Sequence, residues 1–219
     1  MRTLTTLLIY VLLTGCASHA TFEQPDAYTS FNEEFKGETF HYSVLYSQPE
    51  PGFFSGGEQQ DLNPLSKSRL SVVSERSLSD VEGLIERHLP AGIAISDKQE
   101  STDYQLEVAI TAHSKHGPTA WDFEFLKSLG VGLVSFGLGP DYWDIVANFD
   151  VNYNLENSGG TTLLKKEYKV RERVDHQAGP FDTTEPLKRS SESMFEQQLA
   201  ITLNDFFEKV DRKVRQGDS

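Results

Sequence analysis

The sequence predicts an α+β fold: a mostly antiparallel sheet of about five or six strands, covered on one face by two helices. Three observations carry this expectation. Apolar residues alternate in several segments between positions 40 and 174, two stretches place apolar residues at helical spacing, and these elements occur in the order strand, helix, strand, strand, hairpin, helix.

Taken along the chain, Phe40, Tyr42, Val44 and Tyr46 alternate with His41, Ser43 and Ser47, which predicts a strand with one aromatic face. Gln48–Lys67 holds Pro49, Pro51, Gly52, Gly56, Gly57 and Pro64 and reads as loop. Arg69–Glu75, with Leu70, Val72 and Val73, reads as a second strand. Ser79 stands three residues before Glu82 in the spacing of a capping box. Val81, Leu84, Ile85 and His88 follow at i, i+3, i+4, i+7, giving a short helix stopped by Pro90. A brief strand at Gly92–Ser96 and a longer one carrying Tyr104, Leu106, Val108, Ile110 and Ala112 come next.

The clearest strands are later. Trp143, Ile145, Ala147, Phe149, Val151, Tyr153 and Leu155 share one face, and Asn157-Ser158-Gly159-Gly160 turns the chain into Leu164, Tyr168, Val170 and Val174. On the opposite face, Asp144, Asn148, Asp150, Asn152 and Asn154 stand beside Lys165, Lys169, Arg171 and Arg173, the charge pairing of a solvated surface. After a loop at His176–Pro186, residues Ser190 to about Val214 make the longest helix. Its stripe of Phe195, Leu199, Leu203, Phe206, Val210 and Val214 is a core face, and Arg212, Lys213 and Arg215 suit a helix C-terminus.

The N-terminal residues have a different character. Met1-Arg2 precedes about ten apolar or hydroxyl residues, Leu4 to Leu13, the length of a secretory signal core and short of the ~20 needed to span a bilayer. Leu13-Thr14-Gly15-Cys16 follows, containing the single cysteine of the chain, and resembles the bacterial lipoprotein consensus at all four positions. The resemblance implies cleavage before Cys16 and acylation of its sulfur and amine, palmitate included. Several acyl chains at ~0.8 kcal/mol per buried CH₂ make a permanent anchor. The expected organisation is a signal peptide over 1–15, a lipidated cysteine and polar tether over 16–38, and one domain over 39–215. The mature chain then has 19 basic and 33 acidic residues, a formal charge of −14. Phosphate backbones and anionic headgroups repel such a body, which argues against nucleic acid and leaves membrane attachment to the acyl chains. No other thiol remains for redox or nucleophilic chemistry.

Motifs of catalytic type are missing. HExxH, GxSxG, P-loop and dinucleotide fingerprints do not occur, and neither Gly130-x-Gly132 nor Gly137-x-Gly139 is followed by the third glycine of a nucleotide loop. His113-x-x-His116 with Asp122 lacks the further ligand that a zinc site requires. Neither metal nor cofactor is expected. The most unusual stretch of the body is FEFLKSLGVGLVSFGL, Phe123–Leu138, with Lys127 its only basic residue. It reads foremost as a buried apolar connection. The sharper alternatives are an exposed apolar surface for a partner or membrane, presented by Phe125, Leu133, Val134 and Phe136, or the lining of a ligand groove.

The order of lipobox, glycine-rich apolar run ending at Gly139-Pro140, long alternating strand, Gly-Gly hairpin and aromatic C-terminal helix resembles a group of uncharacterised Gram-negative (proteobacterial) lipoproteins, over roughly Tyr104 to Val214. More distantly the layout is similar to periplasmic lipoproteins that assist transporters or cell-wall synthases. No motif of either group carries a functional residue onto this chain. The resemblance implies a non-enzymatic, lipid-anchored accessory protein on the periplasmic face of the outer membrane, working with an envelope protein partner. Ala17, in place of aspartate after Cys16, is what the enteric sorting rule implies for outer-membrane delivery, with the inner membrane as the other destination. Two other classes stay open. One is binding of an apolar ligand such as a lipid between helix and sheet; the other is an envelope hydrolase using Asp141, Asp144 or Asp150 with His113 or His116.

Overall fold

The computed structural model describes residues 19–28, 35–52, 54–134, 139–179 and 182–217. It contains a seven-stranded, mostly antiparallel sheet with helices, the α+β architecture expected. The central element is β6 (Asp141–Asn157), seventeen residues long, whose alternating pattern buries Ile145, Ala147, Phe149, Val151, Tyr153 and Leu155 on one face. Along one edge it pairs antiparallel with β7 (Thr162–Ala178), joined to it by the predicted hairpin turn. Along the other edge it pairs with two strands placed end to end, β4 (Tyr104–Ala112) and β5 (Thr119–Phe123). β1 (Thr39–Ser47) lies outside β4 and runs parallel to it. Its own outer edge takes two short strands, β2 (Asn63–Pro64) and β3 (Ala94–Ile95).

β4 and β5 amount to one strand with an excursion at residues 113–118. The ladder continues around the gap through His113 N donating to Asn148 O and Asn148 N donating to Pro118 O. The excursion is held by α1 (Val72–Ser77), whose first-turn serines Ser71 and Ser74 both donate to His116 O. Gly117 makes that contact possible. Its φ of +126° favours glycine, and a Cβ there would meet the Ser74 hydroxyl at 2.3 Å.

α1 corrects the strand expected at Arg69–Glu75. Ser71 accepts from Ser74 N as an N-cap, and the β-branched Val72 that suggested a strand is 77% exposed. The inward face is small and polar, with Ser74 and Ser77 buried, so local capping and tertiary contact override β propensity. α2 (Val81–His88) buries Val81, Leu84, Ile85 and His88 as its spacing predicts. The capping box does not form, because Ser79 Oγ donates back to Arg76 O and Asp80 occupies the N-cap.

α4 (Glu185–Gly217) is thirty-three residues long and starts five residues earlier than its apolar stripe suggests. It lies with α1 and α2 over the apolar face of the sheet, and Phe195, Leu199, Leu203, Phe206 and Val210 are all buried. Its rings interlock with those of β6: Phe195 lies 5.4 Å from Phe149 and Phe206 lies 5.0 Å from Tyr153. Tyr153 OH shares a hydrogen bond of 2.8 Å with Thr202 Oγ1, so the phenol in the middle of the core is satisfied. Truncating Phe149 to alanine is expected to cost about 3–5 kcal/mol, read as a lower urea midpoint. Ile201→Ala, on the exposed flank of α4, is expected to stay within about 0.5 kcal/mol of the parent.

Candidate functional site: the end of the sheet where the N-terminal segment and an apolar helix meet

Residues 19–28 form no strand or helix, yet they lie along α4 and run in its direction. Ser190 Oγ donates to Ala20 O at 2.7 Å, Gln197 Nε2 to Glu23 O at 2.8 Å, and Asn204 Nδ2 to Asp26 O at 2.8 Å. Tyr28 extends the contact, its amide donating to Asn204 Oδ1 and its hydroxyl to Asp211 Oδ2. The helix residues fall at intervals of seven and the carbonyls at intervals of three. Seven helical residues advance about 10.5 Å, and three residues of extended chain span about 10 Å, so the two periods stay in step. This polar ladder runs beside the apolar stripe of α4, and Ala20, Phe22 and Tyr28 add partly buried contacts to the core. Over these residues the polar segment after Cys16 lies docked on the body.

At the start of the ladder stands a chain of imidazoles. Ala20 N donates to His176 Nδ1 at 3.2 Å, which leaves the proton of that ring on Nε2, facing His19 Nδ1 at 3.2 Å. His19 Nε2 in turn lies 3.8 Å from Asp182 Oδ2, an oxygen that also accepts from Gly179 N. His176 is only 1% exposed. Burial, reinforced by the neighbouring His19 and opposed by Asp182, holds its pKa below the ordinary histidine value. Beside it an open groove of about 390 Å³ is lined by His19, Thr21, Phe22, Arg189 and Ser190.

The same end of the sheet carries the apolar segment singled out in the sequence. His176 on β7 is registered against Trp143 on β6, and Trp143 against Phe123 on β5, whose rings lie 4.7 Å apart. Directly after Phe123 comes α3 (Phe125–Val134). It is fastened by its polar residues. Ser128 is buried and accepts from Tyr142 N at 2.9 Å, while Lys127 pairs with Glu124 at 3.2 Å and Asp175 at 3.6 Å and lies over the Tyr142 ring. Its apolar residues face outward, with Phe125 61%, Leu126 82%, Leu129 45% and Leu133 72% exposed. The buried connection expected here is therefore replaced by a helix whose apolar side faces solvent. Of the residues named for a partner surface, Phe125 and Leu133 are on that side and Val134 ends the helix. Phe136 lies outside the described residues, as do Cys16 and its lipobox neighbours Leu13, Thr14 and Gly15.

The carboxylates and histidines considered for hydrolysis are distributed over the solvated face. His113 Nε2 and Asp150 Oδ2 meet at 3.1 Å, but Asp150 is also held by Arg171 at 2.7 Å. Burial raises the Asp150 pKa less than Arg171 and His113 lower it, so the net shift is downward. Asp144 is buried under Arg173 at 2.5 Å, and Arg173 reaches Asp122 at 3.8 Å. Burial, followed by Glu124, pushes the Asp144 carboxyl above its ordinary value in spite of Arg173. His116 offers its backbone carbonyl to α1, and Asp141 is exposed at the start of β6. Among the described residues no group of three His, Cys, Asp or Glu side chains could hold a metal ion, and no helix is long and apolar enough to cross a membrane.

No protein-family model matches the chain, and no curated protein matches it in sequence. Among solved structures it is similar to a Xanthomonas campestris protein of the DUF330 family, at 12% identity and a TM-score of 0.41, over 90% of this chain and 99% of that one. It is also similar to a Helicobacter pylori protein described as a neuraminyllactose-binding hemagglutinin homologue, at 9% identity and a TM-score of 0.39, over 89% and 97% of the two chains. A DUF4136 family protein of Bacteroides thetaiotaomicron follows at 12% identity and a TM-score of 0.27, over 85% and 94%. The structural neighbours thus include bacterial families without an assigned function.

The imidazole chain makes docking of the N-terminal segment pH-dependent. His176 titrates below 6.5 in the fold and takes up a proton more readily once exposed. The stability of the docked state is therefore complete above about pH 6.5 and falls as the pH drops toward the depressed value. Hydrogen exchange of the residue 20–28 amides should accelerate between pH 7.5 and pH 5.5 relative to the β6 amides, after correction for intrinsic rates. His176→Gln should remove that difference.

Proposed function

We propose that this protein is a lipid-anchored, non-enzymatic accessory protein of the bacterial envelope, held on the periplasmic face of the outer membrane by acylated Cys16. The observation that carries the reading is the docking of residues 19–28 on α4, which brings the chain from the lipobox to the end of the sheet where the apolar side of α3 is exposed. Attachment and the exposed apolar side of α3 are then neighbours, while the charge-paired face of the sheet and the outer edge of β7 remain for an envelope protein partner.

A non-enzymatic reading is supported by the way the polar candidates are engaged. Asp144 and Asp150 are committed to Arg173 and Arg171, and His113 to Asp150, in ion pairs along the solvated face. The groove beside α3, about 420 Å³, is open, with Phe123, Phe125 and Leu126 on its lining beside Asp122, Glu124, Lys127, Asp144 and Arg173, so it does not enclose a ligand.

Metabolic labelling with palmitate tests the anchor. The wild-type chain should take up label and float with membranes, and Cys16→Ser should take up none. A wild-type chain that matures without label would overturn the reading.

A further inference from the structure

We propose that the exposed side of α3 inserts into the lipid bilayer beside the acyl anchor, giving the body a second membrane contact that fixes its orientation. The inference rests on the acylation of Cys16 proposed above, and it names the bilayer as what covers α3.

The helix is amphipathic in the inverted sense. At 100° per residue, Phe125, Leu129, Leu133 and Leu126 fall within about 100° of arc, and this arc is the exposed one. Ser128, buried against β6, and Lys127, tied to Glu124 and Asp175, lie off it. A soluble surface helix turns its apolar arc inward; one that turns it outward marks a contact with an apolar medium or partner.

Chain length supplies the medium. Only residues 17 and 18 separate Cys16 from His19, and three residue steps span at most about 11 Å. His19 is stacked on His176, with ring centroids 5.0 Å apart. His176, Trp143 and Phe123 occupy one row across neighbouring strands, and two strand spacings place Phe123 about 10 Å from His176. A lipidated Cys16 at the membrane surface therefore brings the start of α3 to the same surface, for as long as residues 19–28 stay docked. No protein partner is needed for the contact.

The dimensions and chemistry fit insertion at the interface. Ten helical residues are about 15 Å long, half of what crossing the hydrocarbon requires, so α3 lies in the headgroup and upper acyl region. Behind it stand Trp143 and Tyr142, ring types that favour the boundary between headgroups and hydrocarbon. The nearby charges, Glu124, Asp122, Asp141 and Asp175 beside Lys127 and Arg173, are net negative, so no attraction to anionic headgroups drives insertion and salt does not weaken it. β6 and β7 then point away from the membrane. The turn at Ser158, fifteen residues from Trp143, stands about 50 Å from the anchored end along the strand.

Acylation occupies the native sulfur of Cys16, so an introduced cysteine is the one free thiol of the mature protein. Full-length, acylated Leu126→Cys, Leu133→Cys and Ser158→Cys variants would be labelled with an environment-sensitive fluorophore. They would then be reconstituted into vesicles of phosphatidylethanolamine with a minority of phosphatidylglycerol, carrying nitroxide lipids. Residues 126, 133 and 158 are all exposed, so the substitutions leave the core intact. Quenching several-fold stronger at 126 and 133 than at 158, not weakened in high salt, is the expected result. Equal, weak quenching at all three sites on vesicle-bound, acylated protein would overturn insertion and leave the anchor standing. Shielding of residues 126 and 133 in native membranes but not in pure lipid would also overturn it, assigning the helix to a protein partner. A chain without acyl groups, shown by mass spectrometry, would remove the anchor itself and the inference with it.

Discussion

The packing of α4 against β6 and β7 is the contact on which the other arrangements depend. One side of the helix supplies Phe195, Leu199, Leu203, Phe206 and Val210 to the core, where rings stack on Phe149 and Tyr153. The adjoining flank supplies Ser190, Gln197, Asn204 and Asp211 to the N-terminal segment. Because both sets of contacts belong to one rigid helix, the apolar core determines where the polar ladder lies and in which direction residues 19–28 leave the body. A helix that rotated to repack its apolar stripe would lose the register of the ladder as well.

The sheet carries the same constraint across the molecule. β6 is long enough to pair with β4 and β5 in succession, so Phe123 arrives at the row of Trp143 and His176 although these residues are far apart in the chain. The solvated face is organised by cross-strand ion pairs, Asp144 with Arg173 and Asp150 with Arg171. Such pairs add little to stability where they are exposed; here they tie Asp144 and Asp150 of β6 to β7. What distinguishes this end of the sheet is the meeting of a docked, pH-sensitive segment with a helix whose apolar side is outward.

Legibility varied with how local the deciding forces were. β6, β7 and α4 have long, regular patterns, and their faces were readable because burial on one side imposes a period of 2 or 3.6. β5 was missed because five residues with Thr119, Trp121 and Phe123 on one face, only Thr119 of them fully buried, are too short a pattern to separate from the apolar run that follows. α1 was misread because Val72 and Val73 favour strands, whereas the N-cap of Ser71 and the contact between Ser74 and Gly117 decide otherwise. The ladder on α4 had a signal that could have found it, polar residues at intervals of seven beside an apolar stripe. A polar flank ordinarily faces water, so spacing alone does not reveal a partner.

By itself the sequence determined the α+β class, the long strands and their inward faces, the core stripe of α4, and the position of its single cysteine, Cys16, three residues before the docked segment begins. These follow from side-chain period and short motifs, which act over a few residues. Only the tertiary structure decided that α3 faces outward, that residues 19–28 lie on α4, and that Phe123, Trp143, His176 and His19 share one end of the body. An apolar run looks the same in sequence whether it is covered or bare. The difference is made by strand pairing and helix packing between residues distant in the sequence, and no local pattern encodes which of its neighbours will be there.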